Sequence, residues 1–301
     1  MKERLMKTFV ILFSIGLLLT SPAIKSGGAS AAGNNDGLVY VKGGTFEMGN
    51  PYERADEDEK LIHTIRLSDY WFGSCEVTAG EFREFVEASG YVTTAERIGN
   101  AMIMIGKKVE KPGDGSWNKP YFRQHDGHPA VCVSWWDAVA YCNWRSAKEG
   151  LVKCYSISAD SLVTWNRAAN GYRLTTEAEW EFAGRNRGQN IKYAWGDSLP
   201  LIDGKPAANT RDEAAFREWE LNNYWEGCDD GYAYTAPVDT FAANALGIYG
   251  ISGNVYEWCW DWYSETYYGE SPVDDPAGPP SGTMHACRDA GFSCPIYQEV
   301  V

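Results

Sequence analysis

The chain has 301 residues, 44% of them apolar, with 13 Trp, 18 Tyr and a formal charge of -14. That apolar mass is ample for a core and excludes disorder as the general state of the chain. The acidic balance and the lack of a Lys- or Arg-rich tract exclude nucleic acid as a partner.

Lys2, Arg4 and Lys7, the apolar run Thr8 to Leu19 and the small-residue site Ala29-Ser30-Ala31 read as a secretory signal peptide, residues 1–31, cut after Ala31. The run is short for a membrane anchor, so the mature chain is expected to be secreted or periplasmic, with no membrane span. Residues 32–37 form a short polar lead. In an oxidising compartment some of the 8 Cys are expected to pair, with a connectivity that spacing leaves open. No CxxC occurs, and Cys132 and Cys142 lie in apolar surroundings as small buried hydrophobes.

Val39 to Met48 predicts a strand, a Gly-Gly turn and a second strand. Asn50 to Lys60 is an acidic loop, and His63 to Ser68 and Tyr70 to Val77 read as strands. Thr78 with Glu81 is a capping box that opens a helix carrying Phe82, Phe85 and Val86 inward. Thr93 to Asp126 holds Pro112, Gly113, Gly115 and Pro120 and reads as irregular. Ser134 caps a second helix with Asp137 in its first turn, and His128, before Pro129, reads as a loop-holding residue. Lys153 to Trp165 suggests a hairpin. Thr176 with Glu179 makes another capping box, and the helix dipole accounts for Glu177, Glu179 and Glu181.

Two later bends gather oxygen donors. Asn222 to Tyr232 combines Asn223, Asp229, Asp230, Gly227 and Gly231 with aromatic residues. Gly247 to Trp262 sets Gly247, Gly250 and Gly253 before Glu257 and three tryptophans. Glycine permits tight bends that aim carbonyls at one point, and carbonyls with a carboxylate suit a hard cation such as Ca2+. Each stretch equally supports a buried aromatic turn without an ion. No fixed-period repeat or low-complexity linker divides the chain, which points to one loop-rich α+β domain.

Four ordered blocks carry a resemblance: Val41 to Gly49, Pro129 to Trp144, Tyr172 to Phe182 and Gly247 to Trp262. On them the chain resembles the formylglycine-generating enzyme family, also called sulfatase-modifying factor domains, over residues 38–283. The resemblance implies a single α+β domain of the loop-rich C-type-lectin-like kind. Enzymes of the family oxidise a sulfatase cysteine to formylglycine with O2 and a copper ion held by two cysteines, and they carry structural Ca2+. Carried over, one Ca2+ site takes Asn223, the carbonyl of Tyr224, Asp230 and the carbonyl of Tyr232. The other takes the carbonyls of Gly253 and Val255 with Glu257. Gly250 stands where the family has Asn, so the second site lacks one side-chain ligand and the first is the stronger.

Asp275 to Thr283 still fits the family, whereas Met284 to Val301 departs from it, and Cys287 and Cys294 are not at its cysteine spacing. Copper is therefore not expected in this chain. The resulting expectation is an exported, non-catalytic, Ca2+-stabilised binding or structural module for a protein or glycan ligand. The alternatives carried forward are a formylglycine-generating oxidase and a frameshifted remnant of one.

Overall fold

The computed structural model describes residues 37–52, 56–295 and 301. The expected signal peptide lies outside the described residues. Short antiparallel ladders and five α-helices among the described residues are joined by long loops. The helices are α1 (Ala79–Ser89), α2 (Thr94–Ile98), α3 (Trp135–Lys148), α4 (Glu177–Gly184) and α5 (Glu213–Trp219). None is long and apolar enough to cross a membrane.

The two strands predicted in Val39 to Met48 form as Leu38–Val41 and Gly44–Met48, each with a different partner. Leu38–Val41 pairs with Tyr70–Gly73, and Gly44–Met48 with His63–Leu67. Phe46, Met48, Ile65 and Leu67 turn inward at period two and meet Trp180 and Phe182 of α4 in one core. A second core packs Phe82 and Phe85 of α1 against Trp135, Val139, Tyr141 and Cys142 of α3.

The capping boxes at Thr78, Ser134 and Thr176 all form. The segment read as irregular contains a further one. Thr93 and Glu96 cap the five residues of α2, and Ile103–Ile105 pairs with Lys108–Glu110. These elements are too short to leave a periodic signal between the Pro and Gly breakers. The hairpin at 153–165 is present as Tyr155–Ile157 with Val163–Trp165. No disulfide forms among the described residues, so the cysteine pairing expected from the compartment is not seen.

The strand Glu257–Trp262 ties both cores together. Glu257, Cys259 and Asp261 face inward and are buried, while Trp258, Trp260 and Trp262 lie half-buried on the other face. Its partner is His285–Arg288, which follows Thr283, where the sequence reading ended the family resemblance. Asp261 also accepts the N–H of Glu177 at 2.9 Å, which fixes the start of α4 against the strand.

Candidate functional site

The outward face of this strand borders a cavity of about 910 Å³. Trp135, Trp136, Trp258, Trp262, Tyr263 and Tyr267 give it aromatic walls. His285 is stacked between Trp135 and Trp262, 3.7 Å from each ring. Its Nδ1 lies 3.2 Å from the carbonyls of Trp260 and Asp261, so this nitrogen carries the proton. Burial lowers its pKa to about 4 and keeps the ring neutral.

On the same wall Arg288 donates to Glu177 and Glu181, both at 3.1 Å, and lies over the Trp180 ring. Glu181 also accepts from Gly49 N and Arg185, while Glu179 faces Arg173 in a buried two-pronged pair. The dipole accounts for Glu177 and Glu179 in the first turn of α4, whereas Glu181 lies beyond that turn. Of their partners, Arg185 lies four residues from Glu181 and Arg173 six from Glu179, whereas Arg288 reaches Glu177 and Glu181 from more than 100 positions away. His128 has the loop-holding role read for it: its Nδ1 meets Thr235 Oγ1 at 3.0 Å, and its carbonyl accepts from Ala79 at the start of α1.

Two cysteines line the cavity, Cys132 and Cys287, and burial pushes both thiols up to about 12. Cys294 is buried and meets the Tyr256 hydroxyl at 2.6 Å. Cys287 faces the cavity, and Cys294, bonded to the cavity-lining Tyr256, lies close enough to act on the Cys287 thiol.

The first bend is held largely by its own backbone. Asn223 is exposed at φ +62°, and the Tyr224 ring stacks on Phe216 at 4.5 Å. Asp230 accepts from Thr210 N through one oxygen and from Tyr232 N through the other, at 2.9 and 2.7 Å. Asp212, the N-cap of α5, accepts from Asp230 N in turn. Burial, then the Asp212 charge, raises the Asp230 carboxyl to about 8.

The second bend is different. Gly253 sits at φ +88°, where a Cβ would strike the Asn209 carbonyl, so glycine is required there. Its carbonyl accepts from Val255 N, and its N–H donates to Asp289 at 2.8 Å. Val255 is fully buried. Glu257 is buried and accepts from Trp180 Nε1 through Oε2, while its Oε1 has no hydrogen-bond partner. Burial, then the charges of Glu76 and Asp289, push its carboxyl well above the usual range.

Glu76 is the residue that sequence reasoning missed. It lies 1% exposed beside this bend, accepts from Asn254 Nδ2 at 2.8 Å, and leaves Oε2 without a hydrogen bond. Burial raises its pKa to about 8. Its only local signal was a carboxylate inside an otherwise apolar strand, just before the Thr78 cap. Among the described residues no three His, Cys, Asp or Glu side chains form a group that could hold a metal by themselves. A cation here would need backbone carbonyls as well. The two orphaned carboxylate oxygens beside a glycine-shaped turn fit such a mixed, all-oxygen ligand set.

Comparison with known proteins agrees with this architecture. The Sulfatase-modifying factor enzyme 1-like domain family matches residues 25–294, past Thr283 and through the strand that pairs with Glu257–Trp262. The chain is 32% identical over 302 residues to the formylglycine-generating enzyme of Streptomyces coelicolor, covering 90% of this chain and 83% of that one. It is also 32% identical over 254 residues to the chaperone protein LppX of Paenibacillus barcinonensis, covering 78% and 76%. Among solved structures it resembles PvdO from Pseudomonas aeruginosa, with a TM-score of 0.61 and 26% identity over 86% of this chain and 83% of that one. With the family match spanning nearly the whole described chain and the mixed, loop-rich α/β fold in place, this chain belongs to the sulfatase-modifying factor family.

Proposed function

We propose that the chain is an exported, non-catalytic member of its family. In this reading it binds an extended polypeptide in the aromatic cavity and is braced by Ca2+ at the second bend. The observation that carries the reading is the cavity wall. Tryptophan faces offer large, stiff contact area for apolar side chains, and the Arg288–Glu177–Glu181 network offers donors and acceptors to a peptide backbone. The likeness to a protein named a chaperone supports a polypeptide over a glycan as the ligand. Burial pushes the Cys287 thiol up to about 12 and holds it protonated at neutral pH, which supports a binding role over a nucleophilic one.

The test is a fluorescence titration of the mature protein with a sulfatase-motif peptide and, in parallel, an oligosaccharide. Saturable binding of the peptide, weakened in a Trp136→Ala variant of unchanged melting temperature, is expected. Trp136 suits this test because it is 42% exposed at the cavity rim. Binding of the oligosaccharide alone would replace the polypeptide reading with a glycan one.

A second reading, the formylglycine-generating oxidase, is favoured by the 32% identity to the enzyme of that name. Incubation with the same peptide, Cu+ and O2, followed by mass spectrometry, separates the two. A mass loss matching aldehyde formation, absent in Cys287→Ala, would overturn the non-catalytic reading.

A further inference from the structure

The strand His285–Arg288 is paired along one edge. Its ladder runs to Glu257–Trp262, and no other strand among the described residues joins the two. Met284 O, which accepts from Tyr263 N at 2.8 Å, belongs to the same side. The backbone of 285–288 makes no further hydrogen bond among the described residues.

The cavity shows where the other edge lies. Successive side chains of a strand point to opposite faces. On one face His285 stacks between Trp135 and Trp262, with Cys287 two residues on. On the other, Ala286 joins the core around α4 and Arg288 reaches Glu177 and Glu181. All four residues nonetheless line the same cavity. One cavity touches both faces of a strand by wrapping round its edge. The edge opposite Glu257–Trp262 therefore opens into it and presents backbone donors and acceptors there.

The two sides of that edge differ in chemistry. Tryptophan rings wall the side of His285, which suits an apolar side chain. The side of Arg288 holds Glu177, Glu181 and Glu59, the last close enough to act on the Arg288 charge. Asp56 and Asp58 add to the lining, so carboxylates outnumber Arg288, the one permanent cation there among the described residues. A bound segment is thus favoured by positive charge on that side.

We propose that an extended polypeptide segment of alternating apolar and basic residues adds to the His285–Arg288 edge as a third strand. Its backbone extends the ladder, its apolar side chains meet the tryptophans, and its basic side chains meet the carboxylates. This rests on the polypeptide reading above and specifies its mode of binding and its side-chain pattern. Four residues of edge match a segment of about four to six residues at roughly 3.3 Å each.

The test is a capped hexapeptide of alternating lysine and valine, titrated into the protein by tryptophan fluorescence. Saturable binding is expected, with slowed hydrogen exchange at the 285–288 backbone amides. A strand offers every second N–H to a given edge. N-methylation of the lysines alone or of the valines alone should therefore act unequally, one set weakening binding about tenfold or more and the other changing it little. Glu59→Gln is expected to weaken binding about threefold, and glutamate in place of lysine to abolish it. Equal effects of the two methylated sets, without slowed exchange, would overturn strand addition and leave a polypeptide held by its side chains. A glutamate peptide that binds as well as the lysine one would overturn the basic pattern. Binding of the sulfatase-motif peptide but not of the hexapeptide would overturn this inference alone, and binding of neither would overturn the polypeptide reading with it.

Discussion

The two bends looked alike as strings of residues, and the structure separates them. In the first, residues 223–232, Asp230 spends both oxygens on backbone N–H groups, and its neighbour Asp212 does the same at the start of α5. In the second, residues 250–257, the turn closes through Gly253 and Val255 while Glu257 and Glu76 each keep an oxygen in reserve. The first bend uses its carboxylate to finish the fold, whereas the second holds carboxylates that the fold does not finish. The family pattern favoured the first because its side chains are all present. Hydrogen bonding favours the second, because an oxygen already committed to N–H groups has fewer lone pairs to give a cation.

The largest effect that should separate the bends comes from adding a methyl group. Gly231 and Gly250 both have positive φ, +86° and +63°, but a Cβ on Gly231 meets nothing within 4 Å while one on Gly250 runs into the Glu76 carboxylate. Gly231→Ala is expected to cost only the left-handed backbone penalty, about 1 kcal/mol. Gly250→Ala adds overpacking in a buried site, for about 3 kcal/mol in total. Chemical denaturation of both variants measures the difference. The extra cost at Gly250 should largely vanish when Glu76→Ala is added, and equal costs at the two glycines would mean that Glu76 does not fill that space.

Somewhat smaller is the loss in Asp230→Ala. It strands two N–H groups, one of them on the fully buried Thr210, and is expected to cost about 2 kcal/mol. Because those bonds need no ion, the cost should be the same in Ca2+ and in chelator. A Ca2+ response reduced relative to the parent would return the first bend to the list of cation sites.

Much of the frame was legible in the sequence because its signals are local. Thr78 with Glu81 and Thr176 with Glu179 lie three residues apart and their boxes form as read, and Ser134, read as a cap with Asp137 in the first turn, closes a box as well. The alternation of Thr45, Phe46, Glu47 and Met48 likewise predicts which side chains face inward. What stayed hidden depends on contacts between distant residues. Glu76 reaches Asn254 across 178 positions, and Arg288 reaches Glu181 across 107. Nothing in the immediate surroundings of either residue names its partner. The strand His285–Arg288 was hidden for another reason. It is four residues long, without alternation, and is held in place by the Glu257–Trp262 strand beside it.

The smallest effect is one of pH, and it separates the bends by what calcium does to it. Burial raises Glu76 and Asp230 to about 8, so the folded chain keeps protons that the unfolded chain releases near pH 4. Stability from these groups is therefore greatest at low pH and falls as pH rises toward 8. His128 and His285, both lowered to about 4, act in the opposite sense, but only between about 4 and 6.5, the range in which the unfolded histidine is charged and the folded one is not. The opposing contributions offset one another below about 6.5, and above it the carboxyls act alone. In chelator, stability should fall between pH 6.5 and 8 by on the order of 1 kcal/mol for each of Glu76 and Asp230, and burial of Glu257 and Asp261, both raised well above the usual range, adds to the fall in the same direction. Ca2+ at the second bend would hold Glu76 and Glu257 ionised throughout and remove their share, leaving that of Asp230 and Asp261. Melting curves at pH 6.5 and 8, with Ca2+ and with chelator, should show the pH-dependent fall reduced by calcium. A fall that calcium leaves untouched would place the titrating carboxyls outside the second bend and remove the reason to regard it as the cation site.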